Sequence, residues 1–336
     1  MRIGTFDTDQ RVLVVAEIGN NHEGHAPTAI EMVRRAADCG VDAVKVQVFR
    51  TEHYISRRDQ ARFARLKSFE LSIEQFTQLA DEARRCGLLF IATPFDLHSA
   101  LALEAEVDAY KIASGDVTFF PLLRAVARTG MPVLMSSGAS TIDEIRTALE
   151  VVRSERSDGG VDAGLAVLHC VSSYPTPPDE ANLGAIAALG RSLHVTPGYS
   201  DHVIGNEAAS CAVAAGARIV EKHFTLDKHR SDFRDHQLSA DPHDLRDLVD
   251  RIRRVEAMIG SGEKRVQPSE AANRDAIRRS VVITTNQSAG HRLTADDITW
   301  TRPGGGLAPG DESALFGRRL VRDLREGERL MRADVE

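Results

Sequence analysis

VLVVAEIGNNHEG, residues 12–24, decides the fold. Its first seven residues are apolar except for Glu17, the pattern of a strand covered on both faces of a parallel sheet. The turn that follows, EIGNNHEG, is not GxGxxG, so an open dinucleotide-binding sheet lacks its fingerprint here. Similar runs recur at AVKVQVF (43–49), LLFIAT (88–93), AYKIA (109–113), PVLMS (132–136), LAVLHCV (165–171), VTPGYS (195–200) and IVEKHFT (219–225). Between them lie amphipathic helical segments at 27–40, 72–87, 141–155 and 205–216. Pro27 near a start and Gly40 past an end suit helix boundaries, and Ser72/Gln75 and Thr141/Glu144 suit capping boxes. Eight β–α units in roughly 260 residues predict a closed (β/α)₈ barrel over 1–262.

Beyond the barrel the composition changes. SGEKRVQPSEAANRDAIRR (261–279) is charged, and 263–279 reads as a linker. The β-like pieces SVVITT (280–285) and ITWTRPGGG (298–306), punctuated by glycine, predict a small turn-rich β domain over 280–336. The chain has 336 residues and a net charge of −7, which disfavours nucleic acid and anionic membrane as partners. No apolar run approaches a membrane span, no signal-peptide pattern opens the sequence, and Cys39, Cys86, Cys170 and Cys211 form no CxxC pair. A cytoplasmic, reduced setting is the expectation.

In such a barrel, chemistry gathers at the carboxyl ends of the strands. Those ends are polar: Glu17; Lys45 and Gln47; Thr93; Lys111 with Ser114; Ser136; His169 with Ser172 and Tyr174; Ser200 with His202; Glu221 and His223. Two lysines with Ser114, Ser136, Ser172 and Ser200 suit a small, multiply charged anion such as a phosphate ester bearing a carboxylate. His202 and His223, on neighbouring strands, suit one shared metal ion with open positions, and Glu17 suits a general base or an orienter of a substrate hydroxyl. His22, Glu23 and His25 lack helical metal-ligand spacing and read as loop residues. His229, His236 and His243 read as solvated, Cys170 as a packed strand cysteine, and Cys39 and Cys86 as helix packing.

VAEIGNNHEG, VKVQVF, ATPFD, YKIASGD, MSSG, LHCVSSYPTP, GYSDH and VEKHFT follow one another in order, and WTRPGGGLAP and LFGRRLVRDLREGERL close the chain. This series resembles the sialic acid synthase (N-acetylneuraminate synthase) family, with its C-terminal antifreeze-like, or SAF, domain. The resemblance implies a metal-dependent condensation of phosphoenolpyruvate with an open-chain N-acylated amino sugar, N-acetylmannosamine or a related 6-deoxy or diacetamido hexose. The product would be a nine-carbon 2-keto-3-deoxy (nonulosonic) acid. It places phosphoenolpyruvate on Lys45, Thr93, Lys111, Ser114, Ser136, Ser172 and Ser200, where some relatives have Asn at the Ser172 position. It places a divalent metal, usually Mn²⁺ with Mg²⁺ or Co²⁺ as alternatives, on His202 and His223. Glu17, Gln47, Tyr174 and Asp235 fall on catalytic or sugar-side positions, and Arg302 on the arginine that a partner subunit presents in a domain-swapped homodimer. One loop departs: KHRSDFRDHQLSADP (228–242) lacks the usual Pro-Gly turn and adds Arg230 and Arg234, which leaves the acceptor open. Two other readings use the same residues: a lysine Schiff-base aldolase with Lys111 as nucleophile, and a non-catalytic sugar-binding protein.

Overall fold

The computed structural model describes residues 1–156 and 164–336, and the chain divides into two compact units, Met1–Gly260 and Ser261–Glu336. In the first unit a short hairpin, β1 (Arg2–Ile3) with β2 (Phe6–Asp7), precedes eight parallel strands. These are β3 (Leu13–Gly19), β4 (Ala43–Val48), β5 (Leu89–Pro94), β6 (Ala109–Ile112), β7 (Val133–Ser136), β8 (Leu165–Cys170), β9 (Thr196–Asp201) and β10 (Ile219–His223). They close in sequence order, β10 pairing with β3, so each of the eight expected strands has its place in the (β/α)₈ barrel.

The period of two along each strand sorts its side chains into two cores. Val14, Ala16 and Ile18 of β3 and Val44, Val46 and Val48 of β4 pack outward against the helices. Leu13, Val15, Ala43, Ile91, Ala109, Leu134, Ala166, Leu168 and Ile219 fill the interior, joined by Ile3 of the hairpin. The hairpin thus plugs the amino-terminal end of the barrel, an element that periodicity over so few residues does not reveal. On the same inward parity, one step toward the carboxyl ends, the apolar layer gives way to Glu17, Lys45, Lys111, Ser136, Ser200 and Glu221.

The helices follow local rules. Ile73–Arg85 and Ile142–Glu155 each begin with the expected reciprocal capping box: Ser72 N–H donates to Gln75 Oε1 at 2.8 Å, and Thr141 N–H to Glu144 Oε2 at 2.7 Å. Ala26–Asp38 carries its proline in the first turn, and Gly40 leaves it at φ +84°, a left-handed conformation that glycine adopts without strain. The helices Leu97–Ala102, Phe120–Arg128, Ala185–Leu193, Glu207–Ala214 and Pro242–Ile259 complete the outer ring.

In the second unit, Ser280–Ile283 pairs antiparallel with Ile298–Thr301 over a small core that includes Val281, Leu293, Leu320 and Leu330. The segment read as a linker contains two short helices, Pro268–Ala271 and Arg274–Ile277. No helix among the described residues is long and apolar enough to cross a membrane.

Candidate active site

A cavity of about 940 Å³ opens at the carboxyl ends of the strands. It is lined by Glu17, Lys45, Gln47, Thr93, Lys111, Ser114, Ser136, Ser172, Tyr174, Ser200, His202, His223 and Asp235, thirteen of the fourteen residues singled out from the sequence. The fourteenth, Arg302, is exposed on the C-terminal unit. The cavity also includes residues the sequence reading left out of the site: Asn20, Asp116, Cys170 and Glu221, and on its outer wall Arg62, Arg65 and Arg234.

Glu221 is the hub of the floor. Its carboxylate lies 3.6 Å from Lys45 Nζ and 3.3 Å from Lys111 Nζ, and it accepts a 2.8 Å hydrogen bond from Ser200 Oγ. Burial alone would raise its carboxyl pKa; the two ammonium groups overcome that and pull it down to about 2. Glu17, paired with Lys45 at 3.1 Å and accepting from Gln47 Nε2 at 2.9 Å, behaves oppositely, because burial keeps its pKa above the usual carboxylate range. One carboxylate is therefore fixed as an anion and the other is poised to exchange a proton. Burial depresses the Lys111 ammonium, while Glu17 and Glu221 overcome burial at Lys45 and raise it. Lys45 also donates to Thr93 Oγ1 at 3.1 Å, and Lys111 to Ser136 Oγ at 2.7 Å. Glu221 was legible on the strand, two residues before His223 on the same face.

Beside the lysines is a glycine-made recess. Gly138 N–H donates to Ser114 Oγ at 3.0 Å. A Cβ at position 138 would meet Ser172 Oγ at 2.2 Å, Ser114 Oγ at 2.8 Å and Cys170 Sγ at 3.3 Å. Backbone and two hydroxyls thus converge where only glycine fits, next to the buried ammonium groups, an arrangement suited to phosphate oxygens.

His202 and His223 face each other with ring centroids 5.4 Å apart, and the Tyr174 ring lies 4.0 Å from that of His202. His202 Nδ1 sits 2.8 Å from the Val171 carbonyl, an acceptor only, so Nδ1 carries the hydrogen and Nε2 keeps its lone pair. His223 Nδ1 is buried with no hydrogen-bond partner. Burial first, with mutual repulsion at His202, lowers both imidazoles to about 4, so both are neutral at pH 7. Two neutral imidazoles, one with an orphaned buried nitrogen, have the character of metal ligands. The one close grouping of three such ligand residues among the described residues, Asp241, His243 and Asp244, lies outside the cavity. There Asp241 caps the helix Pro242–Ile259 and Asp244 pairs with Lys228.

One expectation changes. His236 is not solvated: it is fully buried, with Nδ1 2.7 Å from Thr225 Oγ1 and Nε2 3.9 Å from Glu23. The divergent loop folds back onto the loop after β3, which removes this ring from water. Cys170 is packed on its strand as expected, at a point where it borders the cavity, its sulfur 3.7 Å from His202 Nδ1. Burial pushes its thiol pKa up, so it is no thiolate nucleophile. His22 keeps its loop role: Nδ1 accepts from Gly24 N–H at 3.0 Å.

Residues 32–264 match the NeuB family, and residues 278–336 match the SAF domain. The uncharacterized protein MJ1065 of Methanocaldococcus jannaschii is 44% identical over 319 residues, covering 94% of this chain and 92% of its own length. The N,N'-diacetyllegionaminic acid synthase of Legionella pneumophila is 33% identical over 337 residues, with 96% and 94% covered. Among solved structures, the N-acetylneuraminic acid (sialic acid) synthetase of Leptospira borgpetersenii in complex with citrate has a TM-score of 0.74 at 33% identity, covering 81% of this chain and 94% of that one.

Proposed function

Because this chain belongs to the NeuB family, we propose that it condenses phosphoenolpyruvate with the aldehyde form of an N-acylated amino sugar, giving a nine-carbon 2-keto-3-deoxy acid and phosphate. The observation that carries this reading is the pairing, in one cavity, of a two-lysine, Gly138-centred anion cradle with two neutral histidines. The cradle matches a ligand carrying both a carboxylate and a phosphate.

In this reading Lys45 and Thr93 hold the carboxylate of phosphoenolpyruvate. Lys111, Ser114, Ser136, Ser172 and Ser200, with the Gly138 recess, hold its phosphate. Glu221 stays ionised and keeps both lysines charged and oriented before substrate arrives. His202 and His223 would hold a divalent metal, which when bound supplies Lewis-acid polarisation of the acceptor carbonyl. Carbon 3 of phosphoenolpyruvate bonds to the carbonyl carbon, and the carbonyl oxygen takes up a proton to become a hydroxyl. Water adds at carbon 2, and the C–O bond to phosphate then breaks, leaving the 2-keto group. Glu17, held toward its protonated form by burial, is placed to supply or hold that proton, and Gln47, Tyr174 and Asp235 to orient the sugar. Arg302, exposed on a unit that matches the SAF domain, would act on the partner subunit's site in a homodimer.

A second reading draws on the depressed Lys111 ammonium, which suits a Schiff-base nucleophile. Phosphate release from phosphoenolpyruvate, measured with Mn²⁺ across a panel of N-acylated hexoses, separates the two. Acceptor-dependent release that stops with EDTA is the expected result. Turnover that survives EDTA, together with borohydride trapping at Lys111, would replace it with the aldolase.

A further inference from the structure

The outer wall of the cavity carries three guanidinium groups, and nothing in the reaction proposed above uses them. Arg62 and Arg65 lie three residues apart on one face of the helix Gln60–Phe69, and Arg234 lies on the divergent loop. The two segments are joined: the Phe69 ring meets Phe233, next to Arg234, edge to face at 5.2 Å. The Arg234 guanidinium stacks over Tyr174 at 4.6 Å, and Tyr174 in turn covers His202, so this wall begins where the acceptor would sit. Neither Arg62 nor Arg65 has a carboxylate partner among the described residues, although Arg62 bonds to the Tyr54 side chain. The carboxylates of this region leave Arg62 and Arg65 uncompensated. Asp59 caps the helix through Arg62 N–H at 3.2 Å, Asp235 pairs with Arg234 at 3.5 Å, and Asp116 is half-buried with one buried oxygen unbonded.

Resting on the synthase reading, we infer that the acceptor is a phosphate monoester: an N-acylated hexosamine phosphorylated at the end remote from its aldehyde. Arg62, Arg65 and Arg234 receive the phosphate. Planar guanidinium groups match phosphate oxygens in pairs, and a dianion balances the two guanidinium groups, Arg62 and Arg65, that have no carboxylate partner, with Arg234 beside them. The chemistry has a sharp consequence: a 6-deoxy hexose has no hydroxyl to carry such a phosphate, so 6-deoxy diacetamido sugars are poor acceptors for this enzyme.

Calorimetric titration of the full chain tests this without turnover, using N-acetylmannosamine 6-phosphate, N-acetylmannosamine and inorganic phosphate as probes. The phosphorylated sugar should bind tightest, and Arg62→Gln/Arg65→Gln should cut that preference by about 10- to 100-fold. Steady-state kinetics should show the same fall in the ratio of kcat/KM for phosphorylated over unphosphorylated acceptor. Equal binding of the two sugars overturns the inference, as does loss in the variant that falls equally on both. A rise only in the KM for phosphoenolpyruvate also overturns it and assigns the arginines to that substrate. Preferential binding with no phosphate release under any condition would sink the synthase reading and leave the anion site standing. Arg234→Gln, on a different element, repeats the test if the double variant fails to fold.

Discussion

A buried carboxylate between two buried ammonium groups is stable only as a set. Glu221, Lys45 and Lys111 are each less than 5% exposed, and among the described residues Glu221 is the one acid that touches both lysines. Removing its charge leaves two like charges facing each other in a medium that screens them poorly. Glu221→Gln should therefore destabilise the protein by about 3 kcal/mol or more. The proposed substrate is itself an anion that fits between the lysines, so phosphoenolpyruvate should raise the Tm of the variant by more than it raises that of the wild type. Thermal melts of both proteins, with and without phosphoenolpyruvate, check this; an equal shift would mean that the ligand binds away from the lysines. The residues of this set were legible because a strand has a period of two: Leu13 and Val15 lead to Glu17, and Ile219 leads to Glu221 and His223, all on the interior face. The opposing pKa shifts of Glu17 and Glu221 were not legible, since they come from three-dimensional neighbours.

At the level of elements, the strands announce themselves and the loops do not. Most of the barrel strands are near-continuous apolar runs, and the ends of all eight were read to within two residues. The helix Gln60–Phe69 has no buried residue, so it lacks the apolar stripe that would have flagged it, and it stays in place through Phe69 against Phe233 and Ser68 against Gly24. The loop 228–242 likewise takes its form from partners far away in sequence: Ser231 Oγ donates to Glu23 Oε1 at 2.6 Å, and Asn21 Nδ2 donates to Ser239 Oγ at 3.0 Å. The turn after β7 is the opposite case, because local geometry sets its function. Gly138→Ala places a methyl group 2.2 Å from Ser172 Oγ, so the recess must open or lose its hydroxyls. We expect the KM for phosphoenolpyruvate to rise by about 10-fold or more, the equivalent of one charge-assisted hydrogen bond, with little change in Tm. An unchanged KM with a lowered Tm would show that the glycine serves packing rather than the anion.

For the whole molecule, the question is whether a barrel works alone. Every residue lining the cavity belongs to Met1–Gly260, whereas Arg302 belongs to Ser261–Glu336. If Arg302 of one subunit completes the site of another, Arg302→Ala and His223→Ala chains should each be nearly inactive alone. They should recover activity when unfolded and refolded together. In a mixed dimer, the barrel of the Arg302→Ala chain is intact and meets an intact Arg302 from its partner, so one of its two sites is complete. The other site carries both lesions. Random assortment of equal amounts makes half the dimers mixed, so about 25% of wild-type activity should return in a closed two-fold assembly. Should Arg302 serve its own barrel, each mixed dimer would hold two damaged sites and refolding together would restore nothing. A partial loss in Arg302→Ala with no recovery on mixing would make the arginine a contributor to its own subunit. The recovered fraction thus reads directly which chain supplies the guanidinium.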